Sequence, residues 1–476
     1  MSRVLPSSVD YTKVLPLAVE SRARRRTYFP TNGATFSSGG NNIIRIDVSA
    51  SAFLDPKHSY LRFTLANTTG QTLGMDFGGG HSIIRRLRIE QAGNVLSDVQ
   101  NYNKLMSSII LPSQGGLDSV AHRSITEGQR FANTGAVNSN VVAAAAEVSG
   151  AIVNTPTNAD TALPVGAAAN TVSYVFAIPL MNGLLGSTQD KMVPLQLLGS
   201  SPITIEIELA PHLDIGIYGG AALLPYNIHD VRYVANLVEV GPEVDAQIRM
   251  VQEMSGGRLV LNGTDYTHFS GNVGANADGN QTINVPARRK SMKSLFFVGA
   301  SSQFAGAAAQ SAAYNLSFGG NMLMTEYQLK IGSVLYPPTP VQANLSTAAG
   351  AAANRAEAVT ELAKCFGTVG STVGTGSLSR VNYATTNCNV ASMAGTSAAG
   401  AAAVTHLFSP FGIDLEAFQR TAIESGVNTA DRSLPISLIV NINRGGVATE
   451  AINLDAYVSY DSLYFIDSVG NISVSM

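Results

Sequence analysis

The sequence predicts an all-β protein built from two consecutive sandwiches of one pattern. Three observations carry that prediction. Short runs of β-branched and aromatic residues alternate with polar ones along most of the chain. Gly, Asn and Pro separate those runs, as in sandwiches and barrels. Landmarks of the first half also recur, in the same order, in the second.

The chain has 476 residues, with 30 Lys+Arg against 33 Asp+Glu and a formal net charge of −3. Charged residues make up 13%, about half the share of an ordinary soluble domain, while 45% are hydrophobic. Wholesale disorder is thereby excluded, because it needs high charge and few apolar groups. So much neutral surface suits permanent interfaces, and the near-zero net charge argues against coating nucleic acid. Cys365 and Cys388 are the only cysteines, so neither a disulfide framework nor a Cys-based zinc site can carry the fold. The start, Met1-Ser-Arg-Val-Leu-Pro6, lacks the apolar core of a secretory signal, and no run reaches the ~18 apolar residues of a membrane helix. The expectation is a chain made without a secretory signal.

Strands are predicted in order at Ile43–Ser49, His58–Leu65, Ser82–Glu90, Ser173–Ile178, Ile203–Leu209 and Val231–Val240. The second half continues with Ser294–Val298, Tyr327–Ile331, Leu434–Asn441 and Tyr457–Ile466. In Ile203–Leu209 the residues Ile203, Ile205, Ile207 and Leu209 face one way, and Thr204, Glu206 and Glu208 the other, as in a sheet with one wet face. Two helices are predicted, Tyr102–Ile110 and Arg355–Phe366, the second with Ala358, Val359, Leu362 and Phe366 as its apolar stripe. Thr134–Asn170 and Ser346–Gly400 are rich in Ala, Gly, Ser, Thr and Asn. Lacking the charge of solvated linkers, they are expected to be long loops ordered against other subunits.

The repeat aligns Leu87-Arg-Ile89 with Leu329-Lys-Ile331, then helix with helix, biased loop with biased loop, and Phe176-Ala-Ile-Pro179 with Phe408-Ser-Pro410. Val193-Pro-Leu195 and Leu434-Pro-Ile436 follow, each expected to lead into a strand, and a tyrosine-bearing strand closes each half. Leu87 and Leu329 are 242 positions apart, Pro194 and Pro435 241. The expected organisation is an N-terminal arm at 1–36, a first domain at 37–243 and a second at 244–476, joined near Gly241-Pro-Glu-Val-Asp245.

No catalytic constellation emerges. His58, His81, His122, His212, His229, His268 and His406 are scattered, without the His-Glu-x-x-His spacing of a zinc helix. Gly78-Gly-Gly-His-Ser82 reads as a flexible loop before a strand, lacking the helix and Lys of a phosphate cradle. Gly395-Thr-Ser397 opens like a nucleophile elbow, but Ala399 stands where a second Gly is required. No catalytic, metal-binding or cofactor-binding residue is therefore predicted, and the chain is not expected to be an enzyme. One charge cluster stands out: Arg22, Arg24, Arg25 and Arg26, placed in the arm before the first strand. It suits phosphates of nucleic acid or an anionic membrane, or carboxylates of neighbouring subunits.

Three segments carry a resemblance: Gly78 to Glu90 running on to Asp98-Val-Gln-Asn-Tyr102, Tyr327 to Pro337, and Tyr457 to Gly470. In these the chain resembles the double jelly-roll major capsid proteins of tailless icosahedral double-stranded DNA viruses, nearest to Polinton-like viruses, with virophages and nucleocytoplasmic large DNA viruses further off. The resemblance implies two consecutive eight-stranded jelly rolls, short helices and long loops. It implies a homotrimer forming a pseudo-hexameric capsomer that tiles an icosahedral shell, beside minor capsid or cement proteins and penton proteins. The N-terminal arm would then run along the inner face, where Arg22, Arg24, Arg25 and Arg26 could meet an inner membrane or the genome. The protein would reside in the virion, made in the infected host cell, without a cofactor. The Ala/Gly-rich loops and the absence of Trp depart from the family pattern. A secreted carbohydrate-binding or adhesin sandwich is the alternative; it calls for a signal peptide and binding-site aromatics. A β-sandwich hydrolase would need a catalytic pair that nothing here singles out.

Overall fold

In the computed structural model the period-two run Ile203–Leu209 is a strand, with Ile203, Ile205, Ile207 and Leu209 buried and the intervening Thr204, Glu206 and Glu208 half-buried. The structure describes residues 21–68, 73–114, 123, 125–127, 162–163, 173–186, 191–199, 201–218, 225–302, 316–317, 319–343, 355–369, 378, 383–384, 408–417, 426–444 and 450–475. The expected loop at 134–170 therefore lies outside the described residues except at 162–163. That at 346–400 is described only at 355–369, 378 and 383–384.

Eight long strands build the first sandwich: β1 (Ser21–Tyr28), β2 (Ile43–Val48), β3 (Phe53–Ala66), β4 (Ile84–Gln91), β5 (Asn94–Gln100), β6 (Ser173–Ile178), β7 (Ile203–Leu209) and β8 (Asn227–Val240). One sheet runs β1-β8-β3-β6 and the facing sheet β2-β7-β4-β5, all antiparallel. Eight more build the second: β9 (Arg258–Val273), β10 (Gly279–Asn284), β11 (Met292–Ser301), β12 (Met324–Ile331), β13 (Val334–Gln342), β14 (Phe411–Asp414), β15 (Ile436–Ile442) and β16 (Ile452–Asp467). Its sheets run β9-β16-β11-β14 and β10-β15-β12-β13. Each strand of the second sandwich takes the place of the strand eight numbers earlier in the first. Leu87 and Leu329 are equivalent within this scheme, in β4 and β12, opposite Ile207 and Leu438.

Two sequence landmarks are corrected. Pro435 does lead directly into β15, but Pro194 belongs to a short strand that pairs with β3, and β7 starts only at Ile203. The 241-residue spacing of these prolines is therefore not a structural equivalence. The arginine cluster does not precede the first strand either: Ser21–Tyr28, inside the expected arm, is β1 itself, hydrogen-bonded along its length to β8. Its four arginines hid it, because strand signals rest on apolar alternation and an edge strand needs little of that.

Helix α1 spans residues 102–114, with a wider i→i+5 turn over Leu105–Ile110, and joins β5 towards β6. Helix α3 (Ala356–Cys365) occupies the equivalent place after β13, burying Ala358 and Leu362, with Phe366 stacked on Phe296 at 5.0 Å. Between the sandwiches lies a helix that sequence periodicity missed, α2 (Pro242–Met254). It starts with Pro after Gly241 and carries Glu243 and Asp245 in its first turn, a regular N-terminal signature.

The Gly78–Ser82 segment is not a flexible loop. Gly79–Ile83 form a fully buried tight helical turn. A Cβ on Gly78 would lie 2.0 Å from Ser107 Oγ, and one on Gly80 2.9 Å from Ile178 Cγ2. These glycines let the turn press against α1 and β6. A continuous apolar core fills the first sandwich and extends into Tyr266, Phe296, Tyr457, Tyr464 and Ile466 of the second. A separate core, including Leu329, Phe411, Leu438 and Val458, fills the interior of the second.

Candidate assembly surfaces

The sandwiches meet through a buried polar joint laid over that shared core. Helix α1 of the first half projects Lys104, whose Nζ lies 2.5 Å from Asp455 Oδ2 on β16. His268 on β9 reaches Asp455 Oδ1 at 2.7 Å, and Asn101 approaches the same His268 nitrogen at 3.3 Å. Tyr457 Oη donates to the Asn101 carbonyl at 3.0 Å, and Ser108 Oγ to the Leu316 carbonyl at 2.6 Å. At the other end of the joint the Gln91 amide clamps the chain terminus, donating to the Gly470 carbonyl at 2.9 Å and accepting from Ile472 N at 2.8 Å.

Electrostatics explain why the joint is specific. Burial works to raise the Asp455 carboxyl, but Lys104 and the hydrogen bond from His268 outweigh it and hold it well below the ordinary carboxylate range. Such a buried pair adds little net stability relative to an apolar contact, yet separating its members strands a charge. It therefore fixes one relative placement of the two halves. Asp76 and Asp265 take the opposite course: both are fully buried, and burial pushes each carboxyl up to about 6. Asp76 of the first half accepts from Ser317 N of the second at 3.4 Å, while Asp265 of the second half lies against Ser97 of the first. Close backbone approach completes the joint: a Cβ on Gly263 would lie 1.8 Å from the Gly183 carbonyl oxygen.

A cleft of ≈ 610 Å³ opens beside the joint, lined by Asn103, Asp214, Ser270, Asn272, Asn453 and others, with no aromatic ring among the described residues. Of the seven histidines, His58 pairs with Asp55 at 2.6 Å, His81 is buried against Tyr102 Oη at 3.2 Å, and His268 belongs to the joint. His122 and His406 lie outside the described residues. Among the described residues no group of three or more His, Cys, Asp or Glu could hold a metal ion, and no helix is long and apolar enough to cross a membrane.

The arginines predicted as electrostatic contacts lie along the exposed edge strand β1, Arg22, Arg24 and Arg26 on one face and Arg25 on the other. Arg24 pairs with Glu239 of the adjoining strand at 2.8 Å. Arg25 lies over the Tyr60 ring and Arg26 over the Tyr28 ring, at 5.7 and 5.0 Å. Sequence reasoning found this patch but missed the joint, because Lys104 and Asp455 are 351 residues apart and nothing local marks either.

No protein-family model and no curated protein sequence matches the chain. Solved structures do. The VP54 protein of PBCV-1, as fitted into a reconstruction of the virophage Sputnik, superimposes with a TM-score of 0.59 at 11% identity, over 98% of this chain and 99% of that one. The chain is a double jelly roll. The Faustovirus major capsid protein gives a TM-score of 0.54 at 9% identity over 97% and 92% of the two chains. A chain of the Sputnik virophage gives 0.52 at 11% over 100% and 93%. At such identities the likeness establishes the fold, and both jelly rolls, with the joint between them, fall inside the matched length.

Proposed function

We propose that this double jelly roll is a major capsid protein, the structural subunit of an icosahedral virus shell. The observation that carries the reading is the fusion of two equivalent sandwiches into one unit through a buried joint, in a fold shared over nearly the whole chain with capsid proteins. Two like blocks per chain let three chains present six blocks around a threefold axis, giving a pseudo-hexameric outline from a homotrimer. The charge-poor composition suits subunits that bury surface permanently. In this reading neighbouring capsomers, minor capsid or cement proteins and penton proteins are the partners, and the virion is the location. Arg22, Arg24, Arg25 and Arg26 serve as electrostatic contacts of assembly, and catalysis plays no part.

Light scattering on the purified chain, followed by negative-stain imaging, tests this. A particle of three chains with a hexagonal outline is the expected result; a stable monomer that no other virion protein converts to a trimer refutes it. Deleting 134–161 or 385–400 is expected to leave soluble monomers. The second deletion spares 355–369, because α3 packs Leu362 into the core.

A further inference from the structure

Strand β1 and helix α2 start side by side, because Ser21 is the cross-strand partner of Val240 and α2 begins at Pro242. Their exposed surfaces are opposite in kind. Among the described residues β1 pairs only with β8, leaving its outer edge open. Arg22, Arg25 and Arg26 on it are exposed and have no ion pair among the described residues. Phe29, just beyond, is 61% exposed. Helix α2 turns Val244, Ile248 and Gln252 inward, and Gln252 Nε2 donates to the Ile466 carbonyl at 3.4 Å. Its outer side presents Met250, Val251 and Met254 at 62%, 53% and 82% exposure beside exposed Ala246, Gln247 and Arg249, with exposed Glu243 and Glu253 towards either end of the helix. A helix side meant only for water is polar; this one sets three large apolar side chains among Glu243, Gln247, Arg249 and Glu253.

We propose that this edge is a self-complementary contact between two copies of the chain, α2 of each lying on β1 of the other across a twofold axis. Because the basic and the acidic-apolar surfaces adjoin on one subunit, a single twofold operation satisfies both at once. Their lengths agree: α2, at 1.5 Å per residue, spans about 20 Å, and β1, at about 3.3 Å per residue, spans about 26 Å. Arg25 from one face of β1 and Arg22 and Arg26 from the other straddle α2, their stems and Phe29 covering the methionines while the guanidinium groups reach Glu243 and Glu253. A phosphate polymer would neutralise the arginines but leave the apolar residues of α2 wet, and an anionic lipid surface would cover those residues but repel Glu243 and Glu253, so the second copy is the better occupant. Resting on the capsid reading, the contact joins neighbouring capsomers rather than subunits within one.

The full-length chain tests both levels separately. Light scattering reads the mass of the capsomer, and sedimentation velocity over a concentration series reads association between capsomers. Met250→Asp with Met254→Asp is expected to weaken that association by about tenfold or more and leave the capsomer mass unchanged. Arg25→Glu with Arg26→Glu should weaken it likewise, and adding Glu243→Arg and Glu253→Arg should restore it. Unchanged association in both variants, no restoration, or no association of the parent overturns the proposal. So does a charge reversal that abolishes binding to a DNA duplex or to anionic vesicles while association persists. A parent that never trimerises refutes the capsomer instead, and the twofold contact is then read as dimerisation of single chains.

Discussion

Lys104 of the first jelly roll and Asp455 of the second, 351 residues apart, form an ion pair whose side chains are 10% and 14% exposed. With His268 as the second donor to the same carboxylate, the pair pins the angle between the halves. Lys104→Met should lower the free energy of unfolding by about 3 kcal/mol at pH 7, since it leaves Asp455 buried without its cation. Asp455 is held below its unfolded value, so its contribution is full above about pH 4 and fades as the pH falls further. The difference between parent and variant should therefore shrink on acidification. Urea melts at pH 7 and pH 3 read this; a difference that stays constant with pH would show that the Asp455 ionisation is not coupled to Lys104, and no difference at either pH that the pair contributes nothing.

Asp76 and Asp265 act in the reverse sense. Each is raised to about 6, with burial as the main cause, so each favours the fold most below about pH 4 and progressively less as the pH rises through 6. Serines 317 and 107 face Asp76; Ser97, Tyr460 and the more distant Arg289 face Asp265. Asp265→Asn removes the ionisation, so its stability relative to the parent should improve by about 1–3 kcal/mol between pH 4.5 and 7.5. Asp76→Asn should follow the same course. Thermal melts at the two pH values decide it; equal effects of the substitution at both would sink the argument.

The approach of Gly263 to Gly183 leaves no room for a methyl group. Gly263→Ala should cost about 1–3 kcal/mol by prying β9 from the first jelly roll. Gly274→Ala, where a Cβ would meet nothing within 4 Å, should stay within about 0.5 kcal/mol. Denaturant midpoints of the two variants make the comparison, and similar losses at both sites would mean that the joint is not tight at Gly183.

Helix α3 sits within a segment whose composition reads as loop, yet Leu362 is 1% exposed. Leu362→Ala should cost about 2–4 kcal/mol, as for a packed core leucine. A loss under about 0.5 kcal/mol, measured by the same melts, would return α3 to the loop.

Period-two alternation made β7 and β15 legible, because half-buried strands must write their two faces into the sequence. β1 was illegible for the converse reason: on an edge, with its arginines in solvent, it is held by backbone hydrogen bonds to β8 that no side-chain pattern records. β13 likewise carries Pro337, Pro338 and Pro340, which an edge strand tolerates and a central one does not. The arginine patch was legible as composition; its place on a strand beside α2 was not.

The amino-acid order by itself determined the β class, the duplication with Leu87 and Leu329 as matching landmarks, and the small share of charged residues. All of these are local patterns or simple counts. Only the tertiary structure decided that Lys104, His268 and Asp455 converge, that Asp76 and Asp265 are buried against serines of the opposite half, and that β1 adjoins α2. Those facts depend on how two sandwiches dock. Docking is set by the summed fit of surfaces hundreds of residues apart, which no local window of the chain contains.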